Sequence, residues 1–75
     1  MNDERLRQLA REKLDGGELP RRSAGIWGCE AADHRCALCG EPIAGGSVEI
    51  EERTPEGGTL FFHGRCHAVV TTERG

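Results

Sequence analysis

Hydrophobic residues near the start of the chain recur three or four positions apart and are separated mostly by charged residues. The positions concerned are Leu6, Leu9, Ala10 and Leu14. This spacing is typical of an amphipathic helix with one apolar face. Asn2 or Asp3 can cap its first turn, and Gly16-Gly17 can end it. We therefore predict a helix over residues 3 to about 15, within an N-terminal segment of residues 1–17.

The next segment, residues 18–35, follows no sustained hydrophobic period. It contains Pro20, Gly25 and Gly28, which interrupt regular structure. We predict an extended linker here, with one apolar pair at Ile26-Trp27.

Trp27 is the only tryptophan in the chain, and two roles are open for it. A lone tryptophan in so small a protein usually caps a core. Its alternative role is an exposed anchor for a partner, because tryptophan is enriched among the residues that dominate binding interfaces. Arg21 and Arg22 lie nearby in sequence and are candidates for the same partner-binding surface.

From Ser47 onward the pattern alternates with a period of two, as in a half-buried strand. The apolar positions are Val48 and Ile50, and the charged positions between and after them are Glu49, Glu51 and Arg53. The sequence TPEGG at 54–58 is suited to a hairpin turn, and TLFF at 59–62 to the returning strand. Residues 63 to about 72 can form a short helix, although four consecutive β-branched residues make it marginal in isolation.

The composition indicates that the fold needs stabilisation beyond its hydrophobic core, such as a metal ion or disulfides. It has 75 residues, of which 36% are hydrophobic and only three are aromatic, too few for a secure core. The first 17 residues are charged throughout, so we predict no signal peptide and no membrane span, and a cytoplasmic location. Thiols stay reduced there, which favours metal binding over disulfides for the four cysteines.

Two residue pairs have the spacing of a zinc site. Cys36 and Cys39 are separated by two residues, as are His63 and Cys66, and the predicted hairpin lies between the pairs. Structural zinc favours four tetrahedral thiolate and imidazole ligands, commonly taken as two close pairs. A tight turn after Cys36 forms a zinc knuckle, and the second pair falls on the first turn of a helix, whose dipole stabilises thiolate. We predict that these four residues bind one Zn²⁺ ion.

Three further residues are possible alternate ligands, because they lie close in sequence to the chosen four: Cys29, His34 and His67. We prefer His63 over His67, because adjacent Cys66 and His67 point in different directions from a helix. Cys29 can be a free thiol, a substitute ligand or part of a second site with His34, and a free thiol is the favoured reading. An iron–sulfur cluster is less favoured, since Cys29 would then have to replace His63.

A knuckle, a β-hairpin and a helix that contributes the last two ligands resemble a treble-clef zinc finger. The order CALC, long gap, HGRC also resembles the first zinc module of a LIM domain, over residues 36–72. The chain departs from LIM after Cys66, where HAVVTTERG contains no further cysteine pair. The phrasing CALCGEPI and FFHGRCH is also similar to small bacterial zinc-binding proteins that carry an N-terminal helix and have no assigned activity.

The predicted fold is thus a small zinc-stabilised α+β domain. It comprises the N-terminal helix, the linker and a treble-clef-like module at residues 36–75, in one structural domain overall. A closed site with four protein ligands leaves no position for substrate, so we do not expect an enzyme. The favoured function is a noncatalytic adaptor that binds an unidentified protein or a second copy of itself.

Two alternatives remain. The first is nucleic-acid binding through the arginines of the N-terminal half: Arg5, Arg7, Arg11, Arg21 and Arg22. It is less favoured because the net charge is −3 and residues 36–75 hold six acidic residues against three basic ones. The second, thinner alternative is a thiol redox or zinc sensor that uses Cys29.

Overall fold

A computed structural model describes residues 2–75 of the chain. The first element is helix α1, Asp3–Asp15, which confirms the predicted helix. Its N-cap is Asn2, whose side-chain oxygen accepts a hydrogen bond from the Arg5 backbone N–H at 2.8 Å. At the other end the N–H of Gly16 donates to the Glu12 carbonyl at 2.9 Å, which completes the last turn.

Three antiparallel strands form one sheet in the order β1-β2-β3. Their bounds are Gly25–Glu30, Val48–Arg53 and Thr59–His63. The hairpin between β2 and β3 was predicted and is confirmed: the Thr54 N–H donates to the Gly58 carbonyl at 2.9 Å, and Gly57 has a φ of +93°. Helix α2, Gly64–Arg74, follows β3 directly, as the sequence pattern predicted.

The prediction of an extended linker is wrong for residues 25–30, which form strand β1. All six pair with β2, from Gly25 opposite Arg53 to Glu30 opposite Val48. Two glycines and one apolar pair give this segment no clear alternation of its own. Residues 25–30 are extended because they pair with β2, some 20 residues away, and this pairing satisfies their backbone polar groups.

Strand β2 also differs from the predicted half-buried strand. Val48 is 66% exposed, whereas Glu49 and Glu52 are fully buried on opposite faces of the sheet. Helix α2 covers Glu52: Arg74 holds its carboxylate with two hydrogen bonds of 2.7 Å, and His67 Nε2 lies 3.1 Å from Oε1. A buried carboxylate requires such partners, so this network decides which face of the strand is inward.

The two helices and the cysteine-bearing segment share one hydrophobic core. Its buried members come from α1, the turn after it, the cysteine-bearing segment, β3 and α2, and are Leu6, Ala10, Leu14, Leu19, Cys36, Leu38, Ile43, Phe62, Cys66 and Val70. Ion pairs between Arg11 and Glu73 and between Asp3 and Arg65 join α1 to α2. Helix α1 therefore packs directly against the segments that carry the metal-ligand candidates. Neither helix among residues 2–75 combines the length and the apolar character that a membrane crossing needs.

Candidate metal centre

The first ligand pair lies in a tight turn after the segment that follows β1. The N–H of Gly40 donates to the Cys36 carbonyl at 3.0 Å, and the N–H of Cys36 donates to the Glu41 carbonyl at 2.9 Å. Gly40 has a φ of +77°, in the left-handed region that favours glycine. This turn brings the Cys36 and Cys39 side chains to the same side of the backbone, as the predicted knuckle requires.

The second ligand pair lies where β3 meets α2. His63 is the last residue of β3 and the N-cap of α2, and Cys66 lies in the first turn of that helix. His63 Nδ1 is 3.5 Å from Cys39 Sγ and 3.9 Å from Cys66 Sγ. His63 Nε2 is 3.1 Å from the Pro42 carbonyl. Because a carbonyl only accepts, Nε2 carries the proton and Nδ1 is left with the free lone pair for a metal.

The four ligand atoms of Cys36, Cys39, His63 and Cys66 all lie within 4.8 Å of one another. Around a tetrahedral zinc ion, Zn–S and Zn–N bond lengths imply separations of about 3.6–3.8 Å between neighbouring ligand atoms. The measured N···S distances fit that geometry. Within residues 2–75 this is the one group of three or more Cys, His, Asp or Glu side chains with such proximity. The chain therefore contains a Cys₃His cluster suited to a single zinc ion.

Electrostatics in the cluster favour a cation. Burial raises the pKa of the Cys36 thiol, but hydrogen bonds from backbone N–H groups, that of Cys39 foremost, outweigh burial and lower the pKa to about 7. Burial raises the pKa of the Cys66 thiol, and the neighbouring sulfurs of Cys36 and Cys39 raise it further. Three thiolates in one place repel each other, and a divalent cation at their centre relieves that repulsion.

A second layer of contacts holds the turn in place. Lys13 of α1 donates from Nζ to the Ala37 carbonyl at 3.0 Å, and the Ala37 N–H donates to the Phe61 carbonyl of β3 at 2.7 Å. On the solvent side, Leu6, Glu41 and Arg65 line an open depression beside the ligands. Sequence reasoning did not identify Lys13 or the Pro42 carbonyl; the only available signal for the former was that it is the single lysine of the chain.

The three possible alternate ligands lie outside the cluster. His34 and Cys29 approach different oxygens of buried Glu49, with His34 Nδ1 at 2.9 Å from Oε1 and Cys29 Sγ at 3.7 Å from Oε2. The His34 ring also stacks on Phe61, with ring centroids 3.5 Å apart. His67 contacts Glu52, as described above. Each of these residues therefore contacts a buried carboxylate outside the cluster.

Cys29 is held as a thiol rather than a thiolate. Burial raises its pKa, and the negative charges of Glu49 and Glu51 raise it further. A thiol with a raised pKa is a poor nucleophile at neutral pH. This environment supports the reading of Cys29 as free, and it gives no support to a sensor role.

The structure leaves the predicted partner-binding residues at the surface. Trp27 lies on β1 and is 49% exposed, so the role of capping the core is wrong for this residue. The guanidinium of Arg53 lies 5.6 Å from the centre of its ring, within the range of a cation–π contact. Arg21 pairs with Asp15 at 2.6 Å, and Arg22 is exposed.

The fold and the site together define a small α+β protein with a Cys₃His cluster suited to one zinc ion. A comparison of the chain with protein-family models, with curated protein sequences and with solved structures found no match.

Substitutions of the four ligands should reduce zinc binding, whereas substitutions of the possible alternate ligands should not. The wild type should bind one zinc per chain. Each ligand substitution should lower the affinity for zinc by at least about tenfold, because it removes a direct ligand. These variants are Cys36→Ala, Cys39→Ala, His63→Ala and Cys66→Ala. Cys29→Ala and His34→Gln serve as matched controls and should keep one zinc per chain. Metal analysis after dialysis against a competing chelator gives the readout. Loss of zinc in Cys29→Ala would contradict the assignment.

Proposed function

We propose that this chain is a noncatalytic protein-interaction module that zinc staples into its folded form. The observation that supports it best is the position of the cluster. Its four ligand atoms lie within 4.8 Å of each other, and Cys36 and Cys66 are members of the same core as the α1 residues. When bound, the ion supplies cross-links between the knuckle, the end of β3 and the start of α2, in a chain with few other large buried side chains.

The proposal includes a treble-clef fold for the zinc module. A knuckle, a β-hairpin and a helix that provides the last two ligands follow each other in the order that such fingers use. The resemblance to the first LIM module extends to the ligand spacing, with His63 as the third ligand. The resemblance covers one zinc module, residues 36–72.

The ligand set argues against catalysis at the metal. Catalytic zinc keeps a coordination position for water or substrate, and four protein ligands occupy all positions of a tetrahedron. Three thiolates also donate electron density, which weakens the ion as a Lewis acid. The cysteines are all free in the structure, and a reducing compartment such as the cytoplasm would keep them so.

The surface that supports an interaction role lies at the β1 edge of the sheet. Among residues 2–75, the exposed large hydrophobic side chains are Ile26, Trp27 and Val48, which lie on β1 and at the adjoining end of β2. Side chains alternate along a strand, so Ile26 and Val48 lie on one face of the sheet and Trp27 lies on the other. The exposed apolar side chains therefore flank both faces of the β1 edge, and we take that edge as the candidate binding surface. These side chains do not belong to the metal cluster. This is consistent with a metal site that stabilises the fold and does not itself contact the partner.

The nucleic-acid alternative is supported less well. Three of the five candidate arginines already have acceptors: Arg7 donates to the Asp3 carbonyl, Arg11 pairs with Glu73 and Arg21 pairs with Asp15. Phosphate contacts would have to replace those partners, next to a module whose charge is negative overall.

This choice between partners can be tested by chromatography of the zinc-loaded protein on immobilised heparin and on double-stranded DNA. We expect elution at low salt, below about 0.1 M, with little dependence on salt concentration, because few phosphate contacts form. Arg5→Gln combined with Arg22→Gln is the matched control and should not change elution. Tight retention that falls steeply with salt and is lost in this double variant would replace the adaptor proposal with nucleic-acid binding.

A further inference from the structure

The outer edge of strand β1 is open. β1 has β2 as its single neighbour in the sheet described for residues 2–75. The N–H of Ala31 points to β2, since it donates to the Ser47 carbonyl at 3.0 Å. Backbone groups alternate along a strand, so those of Ile26, Gly28 and Glu30 point away from the sheet. An open edge of this kind is a template for another strand.

The middle of this edge lacks the charges and prolines by which proteins usually protect an open strand. Among the six residues of β1 only the last, Glu30, is charged and none is proline, and Ile26 and Trp27 are each 49% exposed. The opposite edge of the sheet is different, because the Ala37 N–H donates to the Phe61 carbonyl of β3 and the knuckle covers it. The apolar surface is therefore concentrated on the one edge that can accept a strand.

We propose that β1 pairs antiparallel with β1 of a second copy of this chain, so that two three-stranded sheets join into one six-stranded sheet. The inference rests on the proposed function and names the partner in it as a second copy. The two-fold axis passes through Gly28, which faces Gly28 of the second copy. A symmetric pair of this kind is self-complementary and closes after two chains.

The backbone directions determine this register. Only residues with outward N–H and C=O groups can form hydrogen-bonded pairs across the new contact, which restricts the pairs to even-numbered positions of β1. Placing Gly28 opposite itself puts Ile26 opposite Glu30 of the second copy at both ends, and it uses every outward residue of the strand. Trp27 then lies opposite Cys29 of the second copy, in a pair without hydrogen bonds.

No charged side chains face each other in this register, because the central pairs are uncharged and each Glu30 is opposite Ile26 of the other copy. Directly paired residues share a face of the sheet, so Ile26 of the second copy lies on the same face as Glu30 and as Val48, which pairs with Glu30 within its own sheet. Ile26 of the second copy lies beside the shallow hollow lined by Gly28, Glu30 and Val48.

The dimer should be weak and reversible. A six-residue strand edge buries less than the roughly 1,200 Å² that stable complexes bury, so we expect a Kd above about 1 μM. Sedimentation velocity of the zinc-loaded full chain, from about 5 μM to about 1 mM, covers this range. The expected result is a rise of the weight-average mass from about one chain towards two. A monomer at every concentration would overturn the proposal.

Two variants test the edge itself. Ile26→Lys places a charge on the edge, and Gly28→Pro removes an outward N–H that an edge strand does not need internally. Each should abolish the increase in mass. Thr59→Lys on the exposed start of β3 is the matched control for the added charge and should dimerise like the wild type. Dimerisation that persists in both edge variants, with one zinc bound per chain, would overturn the proposal.

The register has its own readout. In a mixture of isotope-labelled and unlabelled protein, an intermolecular NOE between the Hα atoms of Trp27 and Cys29 is expected, because these atoms approach closely in a non-hydrogen-bonded antiparallel pair. Intermolecular NOEs that involve only helix α1 or α2 would overturn β1 pairing. Zinc content and thermal unfolding are measured on the same samples. A monomer that still needs zinc to fold would refute the dimer while leaving the structural role of the metal intact.

Discussion

Removing zinc from the loaded protein is expected to unfold helix α1 together with the hairpin and α2. Zinc binding in small zinc modules contributes about 10 kcal/mol or more to folding, which exceeds the net stability of most domains of this size. From the sequence alone, chelation is expected to unfold residues 36–72. The structure extends it, because Leu6, Ala10 and Leu14 pack into the core that contains Cys36 and Cys66, and Lys13 bonds to the knuckle.

Far-UV circular dichroism during titration with a chelator measures this effect. Helix α1 has 13 residues and α2 has 11, too few for either to persist alone in water, so the helical signal should be lost in one transition. Re-addition of zinc should restore it. Cys29→Ala is the matched control and should unfold at the same chelator concentration as the wild type. A spectrum that keeps its helical signal without metal would contradict a structural role for zinc.

Removing the buried carboxylate of Glu52 is expected to have the second largest effect. Glu52→Ala should lower the free energy of unfolding of the zinc-loaded protein by about 3–5 kcal/mol, because the Arg74 guanidinium is left buried without its partner. Arg74 also donates from Nε to the Pro20 carbonyl at 3.0 Å, so its displacement disturbs the segment after α1 as well. Urea unfolding followed by Trp27 fluorescence gives the free energy.

Two controls separate the ion pair from general effects of mutation. Glu51→Gln changes the neighbouring position on the opposite face of the strand and should alter stability by no more than about 0.5 kcal/mol. The double variant Glu52→Leu with Arg74→Met removes both charges, and it should be more stable than Glu52→Ala alone. A double variant that is as unstable as the sum of two single losses would show that the pair itself contributes little.

The same carboxylate gives a pH dependence. Burial raises the pKa of Glu52, but hydrogen bonds from Arg74 and His67 outweigh burial, so the pKa lies below its ordinary value of 4.5. A group whose pKa is lowered by folding stabilises the fold above the ordinary pKa, and this contribution is lost as the pH falls through the lowered value. The stability difference between wild type and Glu52→Gln should therefore be constant near neutral pH and shrink below about pH 4.5. A difference that grows with acidification would contradict this assignment.

The elements that were predicted correctly are those with a strong local signal. Helix α1 has four apolar positions at helical spacing and a capping residue, and the β2–β3 hairpin has a turn rich in glycine and proline. The metal cluster was also found from sequence, because residue type and spacing restrict zinc ligands more tightly than propensity restricts secondary structure. Strand β1 was missed, since its stability derives from pairing with β2 and from little in its own residues.

Burial of charge is the other feature that local pattern could not reveal. Alternation along β2 placed Glu49 on the solvent side, whereas the segment that carries His34 covers it, and α2 covers Glu52 on the other face. A carboxylate is expected outside unless a partner reaches it. The partners are His34, 15 positions from Glu49, and Arg74, 22 positions from Glu52. The sequence around each glutamate therefore does not indicate that it is buried.

By itself the sequence determined the chemistry of this protein: two ligand pairs of suitable type and spacing, a hairpin that returns one pair to the other, and a core too poor in apolar residues to do without a staple. Only the tertiary structure decided how the parts are joined. It placed α1 in the core of the metal module, turned the supposed linker into an edge strand and left Trp27 at the surface. The physical reason is distance along the chain. Ligand spacing and helical period act over a few residues, whereas strand pairing, buried ion pairs and a shared core exist only after remote segments have met.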